Sequence, residues 1–70
     1  MRDKKRIELI LNEIGFYWKR NPDLRLGQIL SNMSVEAGMS SDPFYLEDDR
    51  LLNVLIKENE LIIGREKKHE

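Results

Sequence analysis

Seventy residues with 12 lysines and arginines, 13 aspartates and glutamates and a net charge of −1 make one domain at most and exert no global electrostatic pull on nucleic acid. There is no cysteine, which removes disulfides and thiolate metal sites and fits a reducing compartment. Glu8, Asn12 and Glu13 interrupt the segment behind the basic start Arg2, Lys4, Lys5 and Arg6, so no apolar run reaches signal-peptide or membrane-spanning length and the expected location is the cytoplasm.

A chain this short balances apolar burial against ordering entropy with little margin. It needs close helix packing or a partner over apolar surface, and a second copy of itself is one candidate. The first predicted element is a helix over 4–20. Ile7, Ile10, Leu11, Ile14, Tyr17 and Trp18 recur at spacings of three and four and form one stripe. Asp3 is placed to cap its start, and Lys19 and Arg20 suit the negative end of its dipole. Gly15 weakens this helix by up to about 1 kcal/mol relative to alanine, or lets another backbone approach closely. Leu9 and Phe16, seven apart, form a secondary ridge and a candidate interface.

Asn21-Pro22 ends that helix, because a residue preceding proline is pushed out of the α region. A second helix is expected over 23–37, with Asn21 or Asp23 as cap, Pro22 in the first turn, and Leu26, Ile29, Leu30, Met33 and Ala37 on its apolar face. It stops near Gly38, and the short turn predicts an antiparallel or steeply crossed helix pair. Met39 to Pro43 reads as loop. Phe44, Tyr45 and Leu46 are too apolar for a free loop and are expected to fold onto the core. A third helix over 47–58 carries Leu51, Leu52, Leu55 and Ile56, with Glu47 or Asp48 as cap and Asn59 at its end. A β-hairpin pairing 52–57 with 60–65 stays open as an alternative, and Leu61, Ile62 and Ile63 either extend the helix or dock as an arm. The expectation is an all-α fold, a compact three-helix bundle over 1–64, with a frayed, disordered basic tail over 65–70.

Little here suits catalysis, and no enzyme activity or cofactor is expected. The one histidine, His69, sits in the tail, so a triad or a histidine metal site lacks its parts. Asp42, Glu47, Asp48 and Asp49 could be acid–base carboxylates or cation ligands, but Pro43 to Leu46 breaks the alternating pattern of a calcium loop. Helix capping accounts for them better. Asn32-Met33-Ser34 matches a glycosylation acceptor by chance. Arg25 and Gln28, three apart on the second helix, could read base edges, although the neighbouring acids would repel phosphates. The plainer expectation has Gln28 bonding turn backbone and Arg25 pairing with an acid of the Glu47–Asp49 cluster.

Phe16, Tyr17, Trp18, Phe44 and Tyr45 hold all the aromatic area. One reading plugs the core with Tyr17, Trp18, Phe44 and Leu46. The other leaves part of this set exposed, with Leu9 or Met39, as a binding anchor. Tyr17-Trp18, the turn Pro22-Asp23-Leu24 followed by Leu26, Gln28 and Leu30, Glu36 with Gly38, and Asp48-Asp49 followed by Leu52 make a further pattern. In it, residues 7–57 resemble a group of small bacterial and phage proteins that includes the YihD-like family. The likeness to phage proteins is closer, through Asn21 to Gln28 and Asp42 to Tyr45. The resemblance implies a phage or prophage origin and carries no activity with it. The expected function is therefore a small non-enzymatic module that binds a host or phage protein as adaptor or inhibitor. Its candidate surface is Leu9, Phe16, Arg25, Gln28, Phe44 and Tyr45. The alternative is a helical DNA-binding regulator using Arg25 and Gln28.

Overall fold

The computed structural model describes residues 3–67. They form α1 (Lys5–Arg20), α2 (Leu26–Glu36), a single 3-10 turn (Pro43–Tyr45) and α3 (Asp48–Lys67), with no strand among the described residues. The fold is all-α with three helices, as the periodicities predict, and the hairpin alternative is excluded.

α1 starts where Asp3 Oδ1 accepts the Lys5 N–H at 2.9 Å, which satisfies one of the open amides of a first turn. It ends at Asn21, whose N–H bonds the Trp18 carbonyl at 3.0 Å and whose side-chain Nδ2 donates to the Tyr17 carbonyl at 2.9 Å. Asn21 therefore closes α1 and does not open α2. Pro22 and Asp23 are occupied by a turn that the Leu24 N–H closes onto the Asn21 carbonyl at 3.1 Å. α2 thus begins at Leu26, later than the periodicity suggests. Gln28 Oε1 accepts the Arg25 N–H at 2.8 Å, the half of a capping box that a glutamine in the first turn supplies.

α2 ends in a Schellman motif. Gly38 has φ 81°, a conformation glycine adopts without penalty. Its N–H bonds the Val35 carbonyl at 2.9 Å, and the Met39 N–H bonds the Ser34 carbonyl at 3.0 Å.

The dominant helix contact is α1 with α3, which are neighbours in space but not in sequence. They run parallel. Arg6 bonds Asp48 at their starts and Arg20 bonds Glu66 near their ends, both at 2.8 Å. Halfway along, the Asn59 Nδ2 donates to the Glu13 carbonyl at 3.0 Å and to Glu13 Oε1 at 2.9 Å. Asn59 is almost fully buried, so it is an interior rung of α3 and not the helix end expected for it. Leu61, Ile62 and Ile63 continue the helix. Residues 65–67, expected to fray, are helical because half-buried Ile62 and the Arg20–Glu66 pair hold the last turns against α1. The rest of the expected tail, 68–70 with His69, lies outside the described residues.

α2 lies across α3, and the core forms there. Ile29, Met33, Leu51 and Leu55 are buried, with Ile10, Ile14, Tyr17, Leu24, Leu30, Leu46 and Val54 packed around them. Burying a side chain such as Leu55 completely is worth about 1.5–3 kcal/mol. The expected plug of Tyr17, Trp18, Phe44 and Leu46 is half right: Tyr17 and Leu46 pack on the core, whereas Trp18 and Phe44 lie at the surface. Trp18 is turned aside by its indole N–H, which donates to the Leu24 carbonyl at 2.8 Å across the turn. Gly15 brings no backbone close, since nothing lies within 4 Å of where its Cβ would be. No helix among the described residues is long and apolar enough to cross a membrane.

Candidate protein-interaction surface

A 3-10 helix has three residues per turn, so positions i and i+3 share a side. In the turn Pro43–Tyr45, Pro43 and the following Leu46 take the inward side and are half-buried, and the Leu46 N–H bonds the Pro43 carbonyl at 3.0 Å. Phe44 and Tyr45 are left pointing outward, 79% and 69% exposed. Their rings meet edge to face at 4.9 Å between centroids, a favoured arrangement for aromatic quadrupoles.

The turn is fastened from both sides. Asp42 Oδ1 caps it by accepting the Phe44 N–H at 3.0 Å. Behind it, two serines of α2 hold the incoming loop: Ser31 Oγ donates to the Ser41 carbonyl, and buried Ser34 Oγ donates to the Ser40 carbonyl at 2.5 Å. Ser31 and Ser34 are three apart and so share a face of α2. Sequence reasoning missed both. Their signal was present: serine is a poor helix-interior residue unless its hydroxyl has a backbone to bond. Ser34 also belongs to the chance glycosylation match, which its burial, with that of Met33, makes inaccessible.

The other candidate residues are not gathered around this turn. Phe16 is half-buried under Arg20, whose guanidinium carbon lies 3.5 Å from the ring centroid. That contact and the Arg20–Glu66 pair occupy much of the ridge that Leu9, still exposed, shares with Phe16. Arg25 and Gln28 are exposed at the start of α2, beside an open trough they line with Leu24, Gly27, Ser31 and Asn32. Gln28 bonds turn backbone, as the plainer expectation has it. Arg25 does not pair with the Glu47–Asp49 cluster among the described residues; Asp48 is taken by Arg6 instead.

The acidic residues have structural work. Asp42 caps the 3-10 turn, Asp48 pairs across to α1, and Asp49 Oδ1 accepts the Arg50 N–H at 2.9 Å in the first turn of α3. Among the described residues, no three acids or histidines come close enough to hold a metal ion. The Tyr17 phenol lies among half-buried core side chains. Burial, then the negative charges of Glu58 and Glu36, push its pKa above the ordinary tyrosine value.

No family model, no curated protein and no solved structure matches this chain.

Proposed function

We propose that the chain is a small non-enzymatic protein-binding module whose contact point is the Phe44–Tyr45 turn. The observation that carries this reading is two adjacent, largely exposed aromatic rings on a turn that five hydrogen-bonding groups hold in place, namely Ser31, Ser34, Asp42, Pro43 and Leu46. Exposed aromatic side chains cost free energy in solution and concentrate binding energy when a partner covers them. A fixed turn also loses little conformational entropy on docking. With the resemblance to small phage proteins, the partner class is a host protein to which the module acts as adaptor or inhibitor.

The test is affinity capture from host lysate with the native chain and with a Phe44→Ser/Tyr45→Ser variant as baits. A protein held by the native bait and lost from the variant, with helical circular dichroism unchanged, supports the reading. A protein held equally by both removes the turn from the contact.

The second reading, a DNA-binding regulator, draws on the exposure of Arg25 and Gln28 at one helix start. It is weakened by Gln28, because bidentate recognition of adenine needs the amide oxygen that the Arg25 N–H now holds. A gel shift at low salt that vanishes as salt rises would revive it.

A further inference from the structure

The apolar stripe of α1 is wider than the fold uses. Ile10, Ile14 and Tyr17 face the core, while Ile7, Leu11 and Trp18 along the adjacent edge are 49%, 62% and 38% exposed. Gly15 continues that edge one turn beyond Leu11, and a Cβ added there would meet nothing within 4 Å. The missing side chain leaves an open, mainly apolar depression of about 290 Å³ between Gly15, Trp18, Lys19 and Pro22. One helix face thus presents both a knob, Leu11, and a hole, at Gly15.

We propose that two copies of the chain associate through this face as a symmetric dimer, with α1 antiparallel to α1 of the second copy. A two-fold interface requires a surface that complements itself. When the helices cross at the level of Glu13, Leu11 of each copy lies over Gly15 of the other and enters the depression, and Ile7 lies across from Trp18. The same register sets Glu8 opposite Lys19, so that each end of the helix pair gains an attraction between opposite charges in place of a repulsion.

The residues named for this contact do not include Phe44 or Tyr45, so the two surfaces can be varied separately.

Sedimentation velocity of the full chain from low to several hundred micromolar tests the proposal. The expected result is a concentration-dependent shift from monomer toward twice the monomer mass. Leu11→Glu, which buries a charge, and Gly15→Leu, which fills the hole, should each weaken the dimer by about tenfold or more. Gly15→Leu also favours helix, so it tests the contact even if Leu11→Glu fails to fold. Glu8→Lys and Lys19→Glu should each weaken association singly, and the two combined should restore it. A monomer across the whole range overturns the proposal. So does a dimer indifferent to Gly15→Leu, or a double reversal no better than the single ones.

Discussion

α3 has two neighbours, and it meets them by different chemistry. Against α2 it buries Leu51 and Leu55 beside Ile29 and Met33, a contact made almost wholly of hydrocarbon. Against α1 it is joined by polar rungs at its start, middle and end: Arg6–Asp48, Glu13–Asn59 and Arg20–Glu66. Hydrocarbon burial stabilises without much direction, and Ile10, Ile14 and Tyr17 of α1 join the same apolar cluster, so this burial supplies most of the free energy. The rungs add little energy each, but they work only at one offset of α3 along α1 and so fix the register.

Breaking the hydrocarbon side should cost most. Leu55→Ala, at a fully buried position, is expected to lose about 2–5 kcal/mol, a large part of the stability of so short a chain. Urea denaturation followed by circular dichroism measures it, and a loss below about 1 kcal/mol would move the core elsewhere. Asn59→Ala should come next, at about 1–3 kcal/mol, because it removes both bonds to half-buried Glu13 and empties space where buried Asn59 stood. Asn59 Oδ1 is itself buried without a partner among the described residues, so the rung is an imperfect one. Asn59→Leu should therefore recover part of what Asn59→Ala loses, and no recovery would show that the hydrogen bonds outweigh volume.

Alkaline solution offers a gentler probe. The Tyr17 phenol has a raised pKa in the folded chain, so the folded state keeps its proton at pH values where the unfolded chain has given it up. The stability this provides is complete below the unfolded value of about 10 and is lost as pH rises through the folded one. Tyr17→Phe should flatten the decline in melting temperature above that pH; an unchanged slope would place its origin in other groups. The smallest effect belongs to the outer rungs. Asp48→Asn should cost about 0.2–1 kcal/mol and should lose that effect in high salt, since the carboxylate is half exposed.

Much of this arrangement was legible in the sequence, and the gaps share a cause. Ile7 to Trp18, Asn21-Pro22 and Gly38 mark α1, its end and the end of α2, because periodicity and chain-breaking are local properties. Asn59 looks like a helix end, and the charged run from Arg65 like a tail, for the same local reasons. What carries α3 past the first and into the second is Glu13 and Arg20, more than forty residues away in sequence. Arg6, Glu13 and Arg20 do recur at intervals of seven beside the apolar stripe, which is the visible trace of a polar seam. The candidate surface was read less well. Phe44 and Tyr45 looked as suited to a core as to an interface until the three-residue period of their turn placed Pro43 and Leu46 inward. Leu9 and Phe16 rest on a spacing of seven, and Arg25 and Gln28 on a spacing of three; neither spacing fixes a distance to the Phe44–Tyr45 turn, and the fold sets them apart.

The parallel course of α1 and α3 has a mechanical consequence. Lys5 and Lys67 lie toward opposite ends of a molecule 39 Å long. A stretching force applied between them drags one helix lengthwise past the other, so all three rungs strain together and none can be unzipped in turn. A fold that is soft to heat or urea should for that reason resist traction along its own axis.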